Sequence, residues 1–221
     1  MLSRLSLYIL KIKVSDHGVH AFLPQAPCIV ANHVSFLDVL AFLSIGCSFV
    51  AKESARRIPL VGRIAASIGC IFVERDSSQS RSSARESIKI TLHSVRNSSQ
   101  LVIFPEGTIT NGEGMLQFRR GGFDACVPVQ PVRIEYSNLQ VSLSLLNNWE
   151  LLCFLCCMPS IEMHLHYLPV MTADTPEALS VKCRKAIAYA GSLRPLTLFG
   201  SESFRDEREC CTYLKQTMTQ N

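Results

Sequence analysis

The chain has 221 residues, 48% of them hydrophobic and 18% charged, with a mean hydropathy of +0.20. That length suits one α/β domain with a buried core, and the composition is too apolar for a disordered chain and too weakly basic for a nucleic-acid binder. The net charge is +4, but residues 52 to 133 hold twelve Lys and Arg against seven Asp and Glu while residues 134 to 221 hold seven against nine, so the central stretch is where an anionic ligand is best received.

In chain order, the N-terminal MLSRLSLYILKIKV sets Leu2, Leu5, Ile9 and Leu10 beside Arg4, Lys11 and Lys13. It is too short to cross a bilayer and suits a segment that lies on one. Short apolar and β-branched runs at 28–32, 48–51, 70–75, 101–105, 126–134 and 161–170 read as strands. Between them SFLDVLAFLSIG and LVGRIAASIG read as helices, each closed by a glycine. ARESIKITLHSV is a third helix, with Ile88, Leu92 and Val95 on one face, and residues 76 to 87, rich in Ser and Arg, read as a solvated loop feeding it. VSLSLLNNWELLCFLCCM, interrupted by Asn147, Asn148 and Glu150, fits either an interfacial segment presenting Trp149 or a buried helix. The alternation predicts a single α/β domain with a mixed, mostly parallel sheet flanked by helices: residues 1–26 as a membrane-proximal segment, 27–195 as the domain and 196–221 as a polar tail.

Ten cysteines are scattered through apolar segments without a cleavable signal peptide, and they read as reduced thiols. Cys153, Cys156 and Cys157 could bind zinc with His164 and His166. Their cluster sits among Leu and Phe and no second C-x-x-C follows, so no metal is expected.

Chemistry concentrates at two strand ends, the edge of an open α/β sheet where ligands bind. In NHVSFLD (32–38), His33 has the ring suited to base chemistry at neutral pH, and Asp38 stands where its carboxylate can hold the imidazole tautomer. Alone, that pair is a weak signal, better read as a helix-start residue with a solvated charge. In VIFPEGTITNG (102–112) a buried strand runs into Pro105, Glu106, Gly107 and Thr108, a turn that suits a polar headgroup or any ordinary strand end. FRRGGF adds Arg119 and Arg120, with the donor geometry for phosphate, and Arg75 ends the strand run GCIFVER.

These pieces, in this order, resemble the glycerolipid acyltransferase family, which acts on lysophospholipids and glycerol phosphates. Asn32, His33, Ser35 and Asp38 match its N-H-x-x-x-x-D block. Gly69 to Arg75 match G-x-x-F-x-x-R, Phe104 to Thr108 match F-P-E-G-T, and Val127 to Val132 match V-P-x-x-P-V. The resemblance covers roughly residues 27 to 170. It implies the family's fold and an enzyme that forms no acyl-enzyme: His33, oriented by Asp38, takes a proton from an acceptor hydroxyl as it attacks the thioester of acyl-CoA, which is a co-substrate rather than a cofactor. It also implies that Asn32, Ser35, Arg75, Glu106, Gly107, Thr108, Arg119 and Arg120 bind substrate, and that the protein works at a membrane such as the endoplasmic reticulum.

Two departures bear on the acceptor and the anchor. Many lysophosphatidic acid acyltransferases have Arg directly after F-P-E-G-T, where this chain has Ile109, and the wording of the segment looks more like members acting on lysophosphatidylcholine. Many relatives carry hydrophobic anchors ahead of the N-H-x-x-x-x-D block, where this chain has 31 residues, so either an anchor lies upstream or the domain docks through an amphipathic surface. An α/β hydrolase would need a G-x-S-x-G elbow, which is missing, and a non-catalytic lipid-binding protein would have no need of His33 and Asp38.

Overall fold

The structure of the protein is a computed structural model, which describes residues 2–22, 25–56, 63, 66, 70–73, 78–94, 99–112, 114–137, 150, 153–154, 157–191 and 193–195. Its centre is β2 (Cys28–Ala31), a strand with no solvent exposure at any residue, as its unbroken apolar sequence requires. On one side β2 pairs in parallel with β5 (Leu101–Ile103), which leads on to β3 (Ser48–Lys52) and β4 (Ile71–Val73). On the other it pairs in parallel with β7 (Val129–Tyr136), followed by β8 (Ile161–Tyr167) and β1 (Ile12–Gly18). The order is β1-β8-β7-β2-β5-β3-β4, and only the β7/β8 pairing among these is antiparallel. A separate two-stranded ladder joins β6 (Gly114–Met115) to β9 (Arg194–Pro195).

Because successive strand side chains alternate faces, β2 feeds two cores. Ile29 and Ala31 pack with Leu37, Ala41 and Phe42 of α2 (Leu37–Ser44) and with Leu7 of α1 (Leu2–Ile9). Cys28 and Val30 pack on the opposite face, with Ile88 and Leu92 of α4 (Ser78–Ser94) and with Leu179, Cys183 and Ile187 of α5 (Pro176–Gly191). A short helix, α3 (Glu53–Arg56), follows β3. Helix α5 opens with Pro176 at its first position, and the Thr175 hydroxyl accepts from Ala178 N at 3.2 Å.

The fold is the expected α/β class with a mixed, mostly parallel sheet. Two expectations change. Residues 12–18, expected in a membrane-proximal segment, form the edge strand β1, paired with β8 from Ile12↔Ile161 to Gly18↔Tyr167. The sheet therefore begins well before residue 27. Gly18 closes that strand at φ +85°, where an added Cβ would stand 2.4 Å from the Tyr167 carbonyl oxygen, so the pairing ends on a residue without a side chain. The Ser-rich stretch expected as a loop is helical from Ser78, because Ile88 and Leu92 anchor α4 to the sheet and Ser87 satisfies its hydroxyl on the Ser83 carbonyl at 3.0 Å. The helix expected over LVGRIAASIG lies outside the described residues except at Arg63 and Ala66, as do Trp149 and most of 138–157, and all of 196–221.

Ile187 is fully buried in the α4/α5 layer. Ile187→Ala should cost roughly 2–5 kcal/mol in denaturant unfolding, with the spread set by how far the layer collapses.

Candidate active site

Strands β2 and β5 run in parallel with Cys28 opposite Leu101 and Val30 opposite Ile103, so both deliver their C-terminal ends to one edge of the sheet. The chain leaving β2 carries Asn32 and His33, and the chain leaving β5 carries Phe104 to Thr108. Parallel pairing is what brings two blocks more than seventy residues apart in sequence to one place.

At that edge stands Asp38, in the first turn of α2 and with no solvent exposure. A buried carboxylate is tolerable only if donors surround it. Oδ2 accepts from His33 Nδ1 at 2.9 Å, Val34 N at 2.8 Å and Ser35 N at 3.0 Å, and Oδ1 accepts from the Tyr136 hydroxyl at 2.5 Å. An ionised carboxylate only accepts, so the His33 hydrogen sits on Nδ1 and the lone pair on Nε2. The imidazole, 16% exposed, lies flat against Phe104, with ring centroids 4.1 Å apart and planes 13° apart. Phe104 is in turn held by Phe42 and Phe49. The ring plane is thus fixed by packing and its rotation by Asp38.

The His33 backbone is clamped as well. Its N–H donates to Glu106 Oε1 at 3.1 Å, and its carbonyl accepts from Thr110 N at 2.8 Å and from Thr110 Oγ1 at 3.2 Å. Glu106 is fully buried, and Oε2 accepts from Leu116 N at 2.9 Å. Burial pushes the Glu106 carboxyl up to about 7, against the lowering effect of the two backbone N–H groups and of the Arg184 charge. Arg184, on α5, donates to the carbonyls of Met115 and Leu116 at 3.0 and 2.9 Å and so braces the segment that holds Glu106.

Several residues expected to contact substrate are turned inward. The Asn32 side-chain amide donates to the Ile134 carbonyl at 3.0 Å, and its oxygen accepts from Ile134 N at 2.7 Å, which staples the end of β2 to β7. The Ser35 hydroxyl accepts from Leu37 N at 3.1 Å at the start of α2. Asn32, Ser35 and Glu106 are 3%, 1% and 0% exposed, so all three hold backbone rather than present polar atoms to a ligand. Gly107, at φ +76°, closes the turn by donating to the Phe104 carbonyl at 3.1 Å, and Thr108 follows half-buried. Ile109 is buried, so this position is packed into the domain. Arg75 lies outside the described residues.

Arg119 and Arg120 come to the same edge, since Arg119 N donates to the Pro105 carbonyl at 2.9 Å. Together with Phe104, Pro105, Gly107 and Gln117 they line an open cavity of about 460 Å³, so the cavity and the His33 ring share Phe104 as a wall. The Arg120 guanidinium pairs with Glu177 of α5 and approaches Asp124 at 3.9 Å. Sequence reading missed Thr110, Arg184 and Tyr136, none of which carries a local signal. Cys153 and Cys157 are exposed, while His164 and His166 sit on β8, where His164 Nδ1 lies 3.0 Å from His17 Nε2. Among the described residues no group of His, Cys, Asp and Glu is arranged to hold a metal.

A family model described as Acyltransferase matches residues 13–135, from within β1 to the penultimate residue of β7. The chain is 34% identical over 184 residues to lysophospholipid acyltransferase LPEAT1 of Arabidopsis thaliana, covering 77% of this chain and 46% of that protein. It is 30% identical over 189 residues to lysophosphatidylcholine acyltransferase 1 of Homo sapiens, covering 82% and 34%. The chain belongs to the glycerolipid acyltransferase family. It spans less than half the length of these curated relatives. The glycerolipid acyltransferase fold is matched by the crystal structure of the 1-acyl-sn-glycerophosphate (LPA) acyltransferase PlsC from Thermotoga maritima, with a TM-score of 0.62, 20% identity and coverage of 86% of this chain and 75% of that one.

The folded state holds the Glu106 proton more tightly than an unfolded chain with an ordinary value of 4.5, so stability contributed by the protonated acid is lost as pH rises from about 4.5 to 7. Glu106→Gln should remove that part of the slope in denaturant unfolding measured across this range. It should also lower stability by about 1–3 kcal/mol, because an amide cannot accept from both backbone donors. A Glu106→Gln protein with the wild-type slope would contradict this placement.

Proposed function

We propose that the protein is an O-acyltransferase that moves a fatty acyl group from acyl-CoA to the free hydroxyl of a lysophospholipid, in phospholipid synthesis or remodelling. The observation that carries the proposal is the His33–Asp38 pair: an imidazole whose Nδ1 is tied at 2.9 Å to a buried carboxylate keeps Nε2 as a base for a substrate hydroxyl. A hydroxyl is a weak nucleophile until its proton has an acceptor, whereas a thioester carbonyl is reactive enough to need no enzyme nucleophile. Nε2 takes the hydroxyl proton as the oxygen attacks the thioester carbon. The C–O bond forms, the C–S bond breaks, and the proton passes from Nε2 to the departing thiolate. Asp38 stabilises the imidazolium in between.

The cavity beside Phe104 supports an amphiphilic acceptor, since its walls combine Val50, Ile88 and Phe118 with Arg119 and Arg120. The printed names of the relatives support a lysophospholipid, and the burial of Ile109 fits an acceptor that is not gripped by a charge at that position. Glu106, Asn32 and Ser35 serve by holding His33 and its strand in place, and the phosphate falls to the arginines and the turn at Gly107 and Thr108. Both substrates are amphiphiles, so the work is done at a bilayer, with the endoplasmic reticulum the compartment that phospholipid synthesis suggests. No described helix is long and apolar enough to cross a membrane, but α1 leaves Leu5, Tyr8 and Ile9 at 52%, 82% and 66% exposure. That stripe is an apolar surface for an interface.

With labelled acyl-CoA and a panel of lysophospholipids, His33→Ala should lose roughly 10²- to 10⁴-fold in rate while remaining folded by circular dichroism, and Asp38→Asn should lose rate more than acceptor binding. A folded His33→Ala protein retaining more than about a tenth of the rate would sink this mechanism. Replacing Tyr8 and Ile9 together by Asp should weaken sedimentation with phosphatidylcholine vesicles without changing the fold. Unchanged sedimentation would remove α1 from the membrane contact.

A further inference from the structure

Asp38 has a second oxygen, and what binds it comes from far away in the chain. Tyr136, the last residue of β7 and 98 residues from Asp38, donates its hydroxyl to Oδ1 at 2.5 Å. The other oxygen is already shared by His33 and two backbone N–H groups of the same loop. The Ser35 hydroxyl lies against the Tyr136 hydroxyl in turn, so the chain of donors runs Ser35 to Tyr136 to Asp38. Tyr136 stays a donor because burial and the Asp38 charge hold its phenol well above the ordinary tyrosine range. Its reach is set by the Asn32–Ile134 staple two residues earlier on the same strand.

We propose that Tyr136 is a positioning residue for acyl transfer, which fixes the Asp38 carboxylate in the rotamer that faces His33 and tunes how strongly that carboxylate stabilises the imidazolium. This rests on the proposed function and adds to it a residue from a third strand. The physical consequence has a sign. A hydroxyl on Oδ1 withdraws charge from the carboxylate, which weakens its hold on a proton shared with His33. Without that hydroxyl Asp38 keeps more charge on the His33 side and binds the imidazolium more tightly. The base then stays protonated to higher pH. The titratable groups facing the pair are Asp38 from α2, Tyr136 from β7 and Glu106 from the turn after β5, with Arg184 of α5 behind Glu106. Tyr136→Phe alters only the first contact and leaves the Glu106 partners in place, so the difference between variant and wild type isolates it.

The test is the pH dependence of kcat/KM for acyl transfer from acyl-CoA to lysophosphatidylcholine by the whole chain. Tyr136→Phe keeps the ring and should lower kcat at neutral pH roughly tenfold, leave both KM values within about twofold, and move the acidic limb upward by about half a pH unit. In a chain already carrying Asp38→Asn, the same substitution should cost little more. Should Tyr136→Phe fail to fold, fluorotyrosine placed at position 136, a stronger donor of the same shape, should move the limb downward. A rate that falls with no movement of the limb would make Tyr136 a packing residue only, and an unchanged rate and limb would overturn the proposal. If the wild-type chain is active and His33→Ala is not, either of those outcomes counts against Tyr136 alone. A folded wild-type chain without acyl transfer would overturn the function and this inference together.

Discussion

The site is organised by the need to bury one carboxylate. Asp38 is withdrawn from water entirely, and an uncompensated charge there would cost several kcal/mol. Four donors meet it, and each constrains a different part of the chain. Two are backbone N–H groups of Val34 and Ser35, which oblige the loop after β2 to fold back over the first turn of α2. The third is the imidazole of His33, and the fourth is a hydroxyl from the end of β7. Satisfying Asp38 therefore joins loop, helix and two strands. The functional orientation of His33 is a consequence of that electrostatic requirement.

A second buried carboxylate plays a different part. Glu106 spends its two oxygens on backbone N–H groups, one of His33 and one of Leu116, and so ties the turn after β5 to both. Thr110 meets the His33 carbonyl from the same segment. His33 is held at N–H, carbonyl, Nδ1 and ring face, which leaves Nε2 as the atom the proposed mechanism uses. Preorganisation of this kind lowers the cost of reaching a reactive geometry, because little remains to be ordered when substrate arrives.

Much of this was legible in the sequence, for physical reasons. Cys28 to Ala31 and Leu101 to Ile103 are short apolar runs of strand length, Ile161 to Tyr167 alternates, and parallel pairing of the first two places His33 near Phe104 to Thr108. Strand β1 was hidden because it is an edge: residues 13 to 18 are largely exposed, so its pairing with β8 leaves hardly any apolar alternation to read. The start of α4 was hidden because serine is a poor local helix signal, and tertiary anchoring through Ile88 and Leu92 overrides it. The motif named Glu106, Asn32 and Ser35 but not their direction, since burial depends on Leu116, Ile134 and Leu37 meeting them in three dimensions. Tyr136 has no signal of its own; only the register of β7 against β2 brings it to Asp38.

In the proposed mechanism the acyl group passes directly from thioester to hydroxyl, with His33 moving protons and forming no bond to carbon. Intact-protein mass spectrometry after rapid quenching, with acyl-CoA alone and then with lysophosphatidylcholine added, separates this route from one through an acyl-enzyme. Direct transfer leaves the protein unmodified in both samples and gives product only when the acceptor is present. A stoichiometric acyl adduct on His33, or on any cysteine, that forms with acyl-CoA alone and disappears when the acceptor is added would contradict it.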